Sequence, residues 1–235
     1  MTADIVLWPD SVLKPAQVQF SPVPYSRSGG VSLGGLQRSL KTDRGYWKGA
    51  LRGVALSSPE QRRAWNWVRT SVNGMAGLLA VPVLSFDSAP WLAGTVGGRF
   101  LTPHDDDTSF SDGSLYGQPG IIVEMAAAAA IGATAVTLRA VYGLEELSGI
   151  RFSYDHAFYE TGLPTAVDGD EWTVPVVPAI RAAIPQDALL ELDRPTCLVH
   201  LASDDAMDGA FTRGGADRCD VEVVEATDYW NDLAS

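Results

Sequence analysis

Histidine and cysteine are scarce in this chain, and basic residues are well outnumbered by acids. Only three of 235 residues are His and two are Cys. Only His200 stands close to Cys197 and no histidine stands close to Cys219, too few ligands to make a zinc site. The N-terminus carries Asp4 and no basic run, which does not read as a secretory leader, so the two thiols are expected to be reduced core residues. Lys plus Arg total 17 against 29 Asp plus Glu, a net charge of −12. That balance argues against a general phosphate-backbone binder. The longest apolar run, near residues 121–131, is interrupted by Glu124 and is too short to cross a bilayer.

Reaction signatures are missing as well. Neither a serine nor a cysteine stands in a nucleophile elbow. The glycine-rich stretch at residues 94–98 lacks the lysine and spacing of a phosphate cradle. Glu145 and Glu146 read as a charged turn, and no carboxylate pair stands out for glycoside chemistry. His200 lies in a strand-like run, while His156 alternates with Phe152, Tyr154 and Phe158 and is expected among aromatics. No catalytic residue, no cofactor and no metal is expected.

What is present is a globular composition, 46% hydrophobic and 20% charged, long enough for one large domain or one domain with a smaller attachment. Its most distinctive stretch joins His104, Asp105, Asp106, Asp107 and Asp112 to several hydroxyl residues. Adjacent acids point different ways, and the spacing of a calcium loop is missing. It therefore reads as a solvated acidic loop, with calcium the better-suited ion if the loop held one.

Residues 1–30 are rich in proline and small residues and read as an extended N-terminal arm with edge-strand character. Trp8 and Phe20 are its expected anchors, in its own subunit or in the next one. Strand-like residues 31–40 and 46–56 flank a turn-like 41–45, predicting a hairpin. A helix follows, with Ser57 and Glu60 at capping-box spacing, Pro59 in the first turn and Asn73-Gly74 as the stop. Its apolar stripe is Ala64, Trp65, Val68, Val72 and Met75. A short strand at 78–84 precedes a long excursion at 85–121, and strand signals resume at 134–142, 149–160, 188–192, 196–201 and 220–225. The expected organisation is the arm, a β-rich domain over 31–226 and a C-terminal tail over 227–235. The expected fold is mainly β, a β-sandwich or barrel-like sheet with one principal packing helix and long loops.

Arg38, Lys41, Arg44, Lys48 and Arg52 are the densest basic set. In so acidic a chain they are expected to form a salt-bridging interface with an acidic region of a neighbouring subunit; an ordinary exposed hairpin is the plainer alternative.

Several segments occur in a familiar order. They are Gly34-Gly35-Leu36-Gln37-Arg38-Ser39-Leu40, then Tyr46-Trp47-Lys48 and the Trp-containing helix, then Thr108-Ser109-Phe110-Ser111-Asp112-Gly113. Gly149-Ile150-Arg151-Phe152-Ser153-Tyr154 follows, and later Asp193-Arg194-Pro195-Thr196-Cys197-Leu198-Val199-His200 and Val221-Glu222-Val223-Val224-Glu225-Ala226. Over roughly residues 14–226 the chain resembles minor tail proteins of long-tailed bacteriophages and gene-transfer particles of Alphaproteobacteria, most of all a distal tail or baseplate-ring protein. The resemblance implies a tail-tube-like β-sandwich plus helix and a homo-hexameric ring joining tail tube to tail tip. It also implies tail-tube and tail-tip or hub proteins as partners, with DNA passing the lumen without specific binding. The location would be the virion tail tip, after assembly in the host cytoplasm. The family brings no catalytic residues. The chain departs from it in showing no clean boundary for an added carbohydrate-binding-like domain. A tail-tube or tail-terminator subunit is the structural alternative. A β-rich carbohydrate-binding or polysaccharide-hydrolysing protein is the other, with Trp91 and Tyr116 as the aromatics to watch.

Overall fold

Alternation decides most of this fold. In β14 (Asp217–Glu225) Cys219, Val221, Val223 and Glu225 are buried while Arg218, Asp220 and Glu222 face water, as a strand with one covered face requires. β4 (Leu78–Pro82) is instead buried at four successive positions. Leu78 and Ala80 pack toward one cluster and Leu79 and Val81 toward another, so this strand is covered on both faces.

The computed structural model describes residues 4–31, 33–85, 88–91, 100–102, 116–118, 120–209, 212 and 215–234. Among these the fold is mainly β, with two curled half-barrel sheets and one principal helix. The first sheet runs β1 (Ile5–Leu7), β4, β13 (Thr196–Leu201), β14, β3 (Gln37–Leu56), β2 (Gln17–Val31). Its pairings are antiparallel except for β1 on β4. The second sheet runs β7 (Ile122–Met125), β8 (Ala135–Tyr142), β12 (Glu171–Val177), β10 (Ala157–Thr161), β9 (Arg151–Tyr154), with β11 (Ala166–Asp168) also on β12. β5 (Phe100–Thr102) and β6 (Tyr116–Gln118) pair separately.

α1 (Pro59–Val72) covers the first sheet with Trp65, Val68 and Val72. Its capping box lies one residue later than expected. Ser58 holds the extended cap conformation and accepts from the Gln61 amide at 3.1 Å, while the Gln61 side chain accepts from the Ser58 amide. Asn73 ends the helix in the left-handed region. The tail forms a second helix, α2 (Thr227–Leu233), docked through buried Trp230.

Three local expectations are corrected. Residues 41–45 are not a turn: β3 continues through them and pairs with β2, Thr42 opposite Tyr25 and Lys41 opposite Ser26. Gly45 serves close approach there, since a Cβ would lie 3.2 Å from the Val23 carbonyl oxygen. The hairpin turn lies before β3, near Gly35 with its φ of +78°. Residues 149–160 are two strands, not one, reversed at Asp155 and His156, whose φ values of 46° and 67° suit a two-residue hairpin turn. Residues 188–192 form isolated bridges rather than a ladder strand. Leu189 bridges to Glu124 in β7 and Glu191 to Ser153 in β9. Because β7 and β9 are the two ends of the second sheet, this segment stitches its edges together.

The core has two parts. One lies between the sheets, with Leu138, Phe152, Tyr159 and Val174 facing Leu78, Ala80 and Leu198. The other lies between the first sheet and α1. Burying each large apolar side chain contributes about 1.5–3 kcal/mol.

Candidate functional site

Three features stand out as candidate sites: a buried polar junction, a pocket beside His156, and a projecting ribbon.

The junction centres on Glu225, whose side chain is 1% exposed. Arg181 donates to it through Nε at 2.7 Å and Nη2 at 3.0 Å, and the Trp47 amide donates to Oε2 at 2.9 Å. Arg181 also donates to the Gly45 carbonyl, and its amide donates to the Tyr159 hydroxyl at 2.9 Å. The Trp47 indole donates to the Phe158 carbonyl at 2.8 Å. Every strong group is satisfied, so the cluster ties β3, β14, β10 and the segment after β12 into one body. Burial pushes the Tyr159 hydroxyl well above its ordinary range. Burial, assisted by Glu225, does the same to the Cys197 thiol, which leaves it unreactive at neutral pH. Cys197 and Cys219 are free and buried, as expected.

The pocket, about 380 Å³, is lined by the β9–β10 turn, Leu189, Glu191, Arg194 and Thr196. His156 sits in the β9–β10 turn rather than on a strand face, and Tyr154 lines the same pocket. Its Nδ1 is 2.8 Å from the Thr196 hydroxyl, and burial lowers its pKa against the opposing pull of Asp155. Ser153 Oγ accepts from the Thr196 amide at 3.0 Å, and Glu191 accepts from the Arg194 amide at 2.8 Å. Among the described residues no carboxylate bonds the His156 ring, so the base lacks the orienting group a nucleophile–base pair uses.

The ribbon is the outer part of β2 and β3. From Pro24 to Val31 and from Leu33 to Leu40, every described side chain is exposed. Leu36 and Leu40 are 71% and 72% exposed, and Tyr25, Val31 and Leu33 also face water. Residues 24–45 carry Arg27, Arg38, Lys41 and Arg44 against Asp43 alone. Their charge is thus +3 and the rest of the chain holds −15 of the net −12.

The sequence-derived candidates are dispersed. Trp8 is buried in its own chain, donating to the Leu13 carbonyl at 2.8 Å and meeting Trp65 edge-on. Phe20 likewise packs edge-on against Phe158. Arg38 is exposed on the ribbon. Lys48 rims a shallow groove of about 370 Å³ with Gln19, Ser21 and Glu222. Arg52 pairs with Asp220 at 3.3 Å and Glu222 at 3.8 Å, exposed contacts worth at most about 1 kcal/mol. Lys41 and Arg44 sit on β3, but their side chains lie outside the described residues, as do His104, Asp105, Asp106, Asp107 and Asp112. Trp91 is part of the inter-sheet core, and the side chain of Tyr116 is outside the described set. Among the described residues no group of three or more His, Cys, Asp or Glu is placed to hold a metal ion. Sequence reasoning missed Arg181 and Glu225. The available signal was parity, because Glu225 occupies the same inward position as Val221 and Val223.

Compared with protein-family models and with curated protein sequences, the chain matches none.

Proposed function

We propose that this chain is a structural subunit that works by assembling with copies of itself, as a distal tail or baseplate ring joining a phage tail tube to the tail tip. The observation that carries the reading is the projecting β2–β3 ribbon. A two-stranded ribbon has no core of its own and is marginal in water. Exposed leucines on such a ribbon mark a contact surface. Its positive charge opposes that of its own body, which favours contact with the acidic body of another copy. A ribbon laid on a different surface of the next subunit is a heterologous contact, and such contacts close into rings at a fixed rotation. The family resemblance supplies the tail setting and the expected number of six. Acidic bodies around a lumen would repel DNA in transit. Function then lies in fitted surfaces rather than turnover.

Mass measurement and negative-stain imaging of the purified chain over a concentration series test this. The expected result is closed rings with a central opening. A monomer at every concentration, or polysaccharide cleavage by the isolated chain, would contradict it.

A further inference from the structure

The proposed self-assembly leaves open where on the neighbour the ribbon lands. Residues 187–192 are a rigid strip. The Asp187 and Leu190 amides donate to the Met125 and Val123 carbonyls, and Glu191 exchanges backbone bonds with Ser153. Alternation turns Leu190 and Leu192 into the core and leaves Asp187, Leu189 and Glu191 facing out. Leu189 is 66% exposed, an apolar residue held between two acids at the mouth of the His156 pocket. Asp155 lies on the same pocket wall.

Most acids near basic side chains are already paired. Glu124, Asp170 and Glu171 surround Arg139, Asp217 meets Arg62, Asp208 meets Arg69, and Asp220 with Glu222 meets Arg52. Among the described residues, Asp155, Asp187, Glu191 and Asp193 form no such ion pair. With Arg194 as the local cation, residues 187–194 carry −2, and Asp155 beside them brings the face to −3, against the ribbon's +3. The groove beside Lys48 is a poorer match: Lys48 and Glu222 balance, and no large exposed apolar side chain lines it.

We propose that the ribbon of one copy seats on the outward face of residues 187–194 of the next. Its basic residues oppose Asp155, Asp187 and Glu191, and its leucines cover Leu189. This inference rests on the self-assembly reading and adds the surface that receives the ribbon. The contact is directional, since the ribbon and the strip are different surfaces of one chain, as ring closure requires.

Sedimentation velocity on the full chain and three variants tests it. Asp187→Lys with Glu191→Lys reverses the strip, Arg38→Glu with Lys41→Glu reverses the ribbon, and Leu189→Ser removes the apolar contact without changing charge. Each is expected to weaken association by about tenfold or more, the scale of one favourable contact. Mixing the two charge-reversed chains is expected to restore pairing between them, because the acidic ribbon of one then meets the basic strip of the other, and the native ribbon of the second meets the native strip of the first. Association of the parent chain is expected to fall with added salt. A single cooperative melting transition in each variant confirms folding. If ribbon reversal weakens association while strip reversal and Leu189→Ser do not, the strip is not the seat, yet the self-assembly reading stands. A parent chain that never associates overturns both.

Discussion

The second sheet, built largely of β-branched and aromatic residues, and the outer half of the first, rich in serine, glycine, proline and basic residues, end in opposite ways. The second sheet has its two end strands bridged through Leu189 and Glu191, so neither edge is left open. The first sheet ends in β2, and β2 runs on with β3 as a ribbon exposed on both faces. Edges are costly to leave open because unpaired backbone recruits other strands. A chain that closes one sheet and extends the other separates a self-sufficient body from the element proposed to assemble. The body carries stability, and in the proposed assembly the ribbon carries contact.

Substitutions can break that division, and the largest effect is expected at the junction. Glu225→Ala leaves Arg181 buried without its partner and is expected to cost about 3–5 kcal/mol in denaturant unfolding; a loss below about 1 kcal/mol would mean the sheets do not depend on it. Trp47→Phe strands the Phe158 carbonyl and is expected to cost about 1–3 kcal/mol, read in the same way. Ser58→Ala removes the α1 cap and is expected to cost about 1 kcal/mol. In the ribbon, Leu36→Ser with Leu40→Ser is expected to change unfolding by no more than about 0.5 kcal/mol while lowering association. A large stability loss there would erase the distinction between the two regions.

The pH dependence sharpens the same contrast. His156 has its folded pKa lowered from 6.5 by burial, so the unfolded chain binds its proton first. Its contribution to stability is therefore full above about pH 6.5 and declines as pH falls below that value toward the folded pKa. In His156→Asn, a residue tolerant of the left-handed turn, unfolding measured from pH 7 to 5 is expected to show a shallower decline than the parent chain.

Much of the body was legible in the sequence. The helix stripe Trp65, Val68, Val72 and the β13 and β14 patterns are set by burial on one side, which periodicity reports directly. Other features escaped for physical reasons. A two-residue turn reverses strand parity, so Phe152 and Phe158, alike in spacing, lie in different cores: Phe152 stacks near Tyr159 at 5.3 Å and Phe158 on Trp47 at 4.7 Å. That same turn takes His156 off the strand face that alternation predicts. Gly45 looked like a turn glycine because composition does not separate a turn from close strand approach. Of the candidate site, the basic character of the ribbon was legible from Arg38 and its neighbours. Its two-sided exposure was not, because β3 was divided in the sequence reading. The Arg181–Glu225 contact joins residues 44 apart, a separation at which local pattern is silent.

Hydrogen exchange across assembly tests the central division most directly. In the dilute chain, backbone amides of residues 24–45 are expected to exchange far faster than those of β8, β12 and β13, and to slow on self-association while the body stays unchanged. Ribbon amides already as protected as the body in the dilute monomer, or unaltered in the assembled form, would contradict the account.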